Sequence, residues 1–181
     1  MALCGLAACA GQKKDAPEPE RPPELLRCFL LTLDDFSPGS DLDRRRPYRD
    51  YLDWLVRTHG SELGLQPTDV TLYASYEPAP TRPGREGPVA GEIVCHPPGE
   101  WAEVGRYRIV IYREALLTRD VSHVYNTIAH ELKHVLQDLA DGDAVDCGRI
   151  ESPARLRKYE RQAARWAHEI APFTDCGTRN R

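Results

Sequence analysis

Between Val121 and Leu139 the chain carries Val121, Val124, Ile128, Leu132, Val135, Leu136 and Leu139 at three- and four-residue spacing. That period fits only a long amphipathic helix, whose apolar stripe must be buried against other elements. The helix therefore dictates the architecture: something apolar has to cover its stripe, and its other face is left for chemistry. Beside the stripe runs "HELKH", with His130 and His134 four residues apart and Glu131 directly after the first histidine. Four residues advance a helix by about 400°, so both imidazoles project from one face one turn apart. That placement lets two ring nitrogens reach one zinc ion. Glu131, turned by about 100° from His130, falls beside such a metal, where it can take a proton from bound water.

The elements that would cover the stripe can be read from the same kind of pattern. "LLRCFLLTL" (25–33), "DVTLYASY" (69–76), "EIVCH" (92–96) and "RYRIVIY" (106–112) read as short strands. Helices are expected over 48–65, with Tyr48, Tyr51, Leu52, Leu55, Val56 and His59 on one stripe, over 119–140, and over 153–171. The last carries Leu156, Tyr159, Ala163, Trp166, Ala167 and Ile170 as its apolar face, with small residues where two helices must approach closely. Residues 77–91, with four prolines and three glycines, read as a loop, and "DGDAVDCGRIE" as an acidic link. In "RYRIVIY", Tyr107, Ile109 and Ile111 alternate with Arg106, Arg108, Val110 and Tyr112, so one apolar face is expected.

These elements make an α+β domain over 25–175, a small mixed sheet packed on the motif helix and a C-terminal helix. A proline- and charge-rich tail (1–24) precedes it and a short tail (176–181) follows. A chain of 181 residues suits one such domain. The net charge of −4 offers no general basic footprint for nucleic acid. "DRRRPYR" (43–49) reads as a solvated helix start. No stretch approaches the ~20 apolar residues of a transmembrane helix. Six cysteines, at 4, 9, 28, 95, 147 and 176, lack the close pairing of a four-cysteine zinc site and read as buried free thiols. A bridge between Cys147 and Cys176 is the alternative, and would require an oxidising compartment. "LAAC" at 6–9 has the form of a lipoprotein cleavage box. It lacks a positive n-region and a full apolar stretch, so the match is expected to be accidental, with lipid anchoring through Cys9 as the alternative.

A catalytic zinc needs a third protein ligand and an open position. Gln137 and Ala140 stand where a metzincin would have Gly and His, which excludes that class. Asp138, Asp141, Asp143, Asp146, Glu151, Glu160 and His168 remain. Asp138, one turn past His134, suits support of a ligand from outside the metal's own shell. Glu160, midway along the last helix, is favoured, against an ordinary surface pairing with Arg157 or Arg161. Lys133, inside the motif, is expected to face solvent.

"HELKH" followed by "ERQAARWAHEIAP" resembles the small bacterial gluzincin peptidases of the ImmA/IrrE type. Their pattern is matched at Glu160, Ala163, Trp166–Ala167 and Pro172, and the likeness covers roughly residues 90 to 172. The chain departs from them in having no evident helix-turn-helix segment and in its N-terminal tail. The resemblance implies a zincin-like fold and a cytoplasmic, zinc-dependent endopeptidase, with His130, His134 and Glu160 as Zn2+ ligands and Glu131 as general base. Glu131 would assist attack of zinc-bound water on a peptide bond of a protein or peptide substrate. His123, Tyr125 and His168 are candidate donors to the developing oxyanion. "RYRIVIY" would flank the cleft, its free edge able to hold an extended substrate by strand addition. The alternative is a non-catalytic zinc-binding interaction module.

Overall fold

The computed structural model describes residues 46–75, 77–80, 89–100, 105–113, 115, 121–141 and 152–170. The expected first strand (25–33), both tails, the basic run up to Arg45, most of the acidic link and every cysteine except Cys95 lie outside these residues.

The described chain is mixed α+β. Helix α1 (Arg46–His59) leads through short 3-10 turns into strand β1 (Val70–Ser75). Strands β2 (Gly91–Cys95) and β3 (Tyr107–Tyr112) follow, then helices α2 (Val121–Asp141) and α3 (Pro153–Ile170). The strand order is β1-β3-β2. β1 pairs parallel to β3, from Val70 with Tyr107 to Ser75 with Tyr112. β2 pairs antiparallel to β3, setting Gly91 opposite Ile111 and Ile93 opposite Ile109.

β3 is therefore the central strand, and the free edge expected of it does not exist. β1 occupies one side of it and β2 the other. Central position also explains why its alternation is weak. Tyr107, Ile109 and Ile111 are buried on one face, yet Val110 and Tyr112 on the other are buried as well. Tyr73 and Glu92 flank Val110 across the two ladders, and the Tyr112 hydroxyl bonds the Glu92 carboxylate.

Helix α1 ends earlier than its apolar spacing suggests. Its stripe is buried through Val56, but the chain turns at Gly60, and the Leu65 amide bonds back to the Gly60 carbonyl at 3.0 Å. Leu65 is thereby returned to the core. Arg49 ties this helix to the sheet, donating to the Val70 carbonyl at 2.8 Å and to the Pro67 carbonyl while pairing with Asp53. Gly105, with φ at 76°, turns the chain into β3 close against the Thr68 and Asp69 carbonyls. The Arg106 amide then bonds the Asp69 carbonyl at 2.8 Å and starts the parallel ladder.

α2 lies at the centre of the packing, against β2, β3, α1 and α3. Val124, Ile128, Leu132, Val135 and Leu136 are all buried, as the spacing requires. The helix approaches the sheet most closely at Gly91. A Cβ added there would stand 2.8 Å from Thr127 Cγ2, 3.0 Å from the Val110 carbonyl oxygen and 3.1 Å from Glu131 Cγ. Only a residue without a side chain fits. In α3 the buried residues are Tyr159, Ala163 and Ala167; Leu156, assigned to its apolar stripe, is instead exposed. Lys133 does not face open solvent either: it is half-buried, with its ammonium 5.5 Å from the Trp166 ring centroid, a cation–π arrangement.

Cys95 also departs from expectation. It is disulfide-bonded, to a cysteine outside the described residues, so the free-thiol reading fails there. No helix among the described residues is long and apolar enough to cross a membrane.

Two outcomes follow from this packing. Gly91→Ala should lower stability by about 1–3 kcal/mol, the usual cost of overpacking, measured by chemical denaturation; an unchanged midpoint would mean the helix is not held this close to β2. His59, stacked edge-on to Trp54 and Trp166, has its pKa lowered by burial and then by Lys133. The unfolded chain thus takes up a proton that the folded chain resists. Stability should fall as pH drops below about 6.5, the unfolded imidazole value. His59→Phe should flatten that part of the stability–pH curve.

Candidate metal centre

The helix spacing brings His130 and His134 together as expected, and docking of α3 adds Glu160. The Nε2 atoms of the two histidines are 3.1 Å apart. Glu160 Oε2 lies 3.3 Å from His130 Nε2, and Oε1 lies 3.9 Å from His134 Nε2. The three groups offer ligand atoms within 4.8 Å of one another and can hold a metal ion. Bond lengths of about 2.0–2.1 Å at tetrahedral angles place neighbouring ligand atoms about 3.3 Å apart. The observed spacings bracket that value, and two nitrogens with one carboxylate oxygen are a donor set that a borderline divalent ion accepts.

Burial is graded across the site. His134 is 1% exposed, whereas His130 and Glu160 are half-buried. One side of the group is thus embedded in protein and the other open to an incoming molecule. Glu131 is 5% exposed, and its Cγ lies close against Gly91 of β2. Glu131 is thus a buried acid directly beside His130 in the sequence and outside the group of three.

The other residues singled out from the sequence are distributed differently. Asp138 is buried, but its carboxylate accepts the Tyr107 hydroxyl at 2.5 Å. It anchors α2 to β3 where support of a histidine was expected. Burial and Asp138 together push the Tyr107 pKa well above its ordinary value. Tyr125 belongs to the core, its ring 5.1 Å from that of Tyr48 and 5.0 Å from that of Tyr51. Burial, followed by the charge of Asp50, raises its pKa. His123 is exposed, about 10 Å along the α2 axis from His130, and His168 is exposed, about 12 Å along α3 from Glu160. None of these three is brought to the metal group.

Gln137 is the residue that sequence reasoning passed over. It is 6% exposed, and its Oε1 lies 2.9 Å from His134 Nδ1. Its position three residues after His134, on the same helical face, is the signal that marks it, although an amide there serves equally well on a surface. Gln137 also lines a groove of about 580 Å³ between α2 and α3, with Lys133, Arg161, Arg165, Trp166 and Glu169.

No protein-family model, curated protein or solved structure matches the chain, so the reading of this centre rests on its own geometry. Metal analysis of the purified protein should find about one divalent ion per chain. His134→Ala and Glu160→Ala should each lose it, while Glu131→Gln should retain it. Full occupancy in Glu160→Ala would remove that residue from the ligand set.

Proposed function

We propose that the protein is a zinc-dependent metallopeptidase of gluzincin type, hydrolysing peptide bonds of a protein or peptide substrate. The observation that carries this reading is the pairing of a three-residue ligand group with an adjacent buried carboxylate that is not part of it. A purely structural zinc site is closed by four protein ligands and has no use for Glu131. The order of the ligands, an H-E-x-x-H helix followed by a helix bearing Glu160 and Ala163, supports the likeness to the ImmA/IrrE-type peptidases and their zincin-like fold.

His130, His134 and Glu160 would hold the ion. When bound, zinc acidifies a coordinated water and polarises a carbonyl group. Glu131 accepts the proton of the attacking water on its carboxylate and returns it to the departing amine. Its burial against β2 keeps bulk water from competing for that proton. β2, rather than β3, is the strand that reaches Glu131, and as an edge among the described residues it is the better placed to hold an extended substrate by strand addition.

The decisive measurement is cleavage of a denatured protein substrate with and without metal. Activity should disappear on chelation and return with zinc. Glu131→Gln should lower kcat by at least about 100-fold, the usual scale for loss of general acid–base catalysis, while keeping its metal. Glu131→Gln with wild-type activity would sink the mechanism. A metal-loaded protein that cleaves nothing would leave the interaction-module reading standing.

The disulfide at Cys95 favours the extracytoplasmic alternative over the cytoplasm, where thiols are kept reduced. Counting free thiols in denatured, unreduced protein from its native host tests this: six would return the protein to a reducing compartment, and four or fewer would support an oxidising one.

A further inference from the structure

We infer that Gln137 is a positioning residue that fixes the tautomer of His134 for metal binding and locks the helix bearing the third ligand to the helix bearing the first two. The inference rests on the metal reading above only for its consequence; the proton assignment stands on hydrogen-bond geometry alone.

The Tyr159 main-chain carbonyl can only accept a hydrogen bond. Gln137 Nε2 lies 3.4 Å from it and 3.1 Å from Gln162 Oε1. The amide of Gln137 must therefore present its NH2 group to α3, which leaves its Oε1 facing His134 Nδ1 at 2.9 Å. An amide oxygen accepts, so Nδ1 must carry the proton. In the neutral ring the other nitrogen, Nε2, then bears the free lone pair. That is the nitrogen 3.1 Å from His130 Nε2 and 3.9 Å from Glu160 Oε1. A main-chain carbonyl on α3 thus determines which nitrogen on α2 is available to a cation.

The same amide does a second job. Tyr159 directly precedes Glu160, so the bond to its carbonyl holds the backbone one residue from the third ligand. Orientation of one ligand and placement of another are coupled through a single buried side chain. Outer groups of this kind typically contribute 10–100-fold in metal affinity.

Nitrogen-15 NMR of the metal-free, full-length protein reads the tautomer directly. Wild type should show His134 protonated on Nδ1 and bare on Nε2. Gln137→Met, similar in length and unable to hydrogen-bond, should bring in the Nε2-protonated form and weaken zinc binding 10–100-fold in chelator competition, with far-UV circular dichroism unchanged. Gln137→Leu, a second side chain without an acceptor, should shift the tautomer in the same direction. A wild-type His134 protonated on Nε2, or a tautomer unmoved in Gln137→Met, overturns the inference. Should Gln137→Met fail to fold, the wild-type spectrum still decides the proton assignment, and Gln137→Leu decides whether the acceptor at this position sets it. Correct tautomers without zinc binding would instead overturn the metal reading and leave the role of Gln137 intact.

Discussion

The close contact of α2 with Gly91 governs the rest of the structure. Where a Cβ would be only 2.8 Å from Thr127 and 3.1 Å from Glu131, the helix lies directly on β2. That approach rotates α2 about its axis so that Ile128, Leu132 and Val135 enter the core. The same rotation leaves His130 and His134 on the flank where α3 docks, and traps Glu131 between. Helix periodicity alone would permit the motif residues to face several ways. The close approach at one glycine goes with the orientation in which two histidines meet a carboxylate from another helix.

Features carried by local spacing were legible in the sequence. Among the described residues the helices and strands fall within a few residues of their apolar patterns, except that Gly60 and the return of Leu65 end α1 before its pattern stops. The pair His130 and His134 is a consequence of helical pitch, and Glu160 lay on a helix whose small residues announced close packing. Features set by non-local order were not legible. An alternating strand such as β3 reads as one-sided until its neighbours are known, and its central place depends on β2 reaching back across it. The same holds for Leu156, which shares the α3 period yet finds no core to enter. For Lys133, spacing said only that it left the apolar stripe; the ring of Trp166 that it meets belongs to another helix.

The two carboxamides that link α2 to α3 illustrate a further limit. Gln162 has no periodic signature and no charge, and the spacing of Gln137 from His134 says only that the two share a helical face. Their meaning comes from what each faces, and above all from a main-chain carbonyl whose direction is fixed by helix geometry. Asp138 shows the converse. Its position one turn past His134 made it an attractive partner for that ring, but the Tyr107 hydroxyl offered a partner on the sheet side of the helix.

Helix α3 buries one tyrosine and two alanines, and an alanine removes little apolar area from water. Hydrophobic burial therefore anchors it less firmly than α2, and polar links at Gln137 and Tyr159 carry a correspondingly larger part of its docking. A cation held between His130, His134 and Glu160 would add a cross-link between α2 and α3. By linkage, the free energy of binding that ion and the free energy of closing α3 onto the body are then one quantity read in two ways. Stripping the ion would leave the sheet and α2 intact while α3 breathes open, so amide protons of 153–170 would exchange earlier than those of β3. Proteolytic clipping within α3 would become a gauge of metal status.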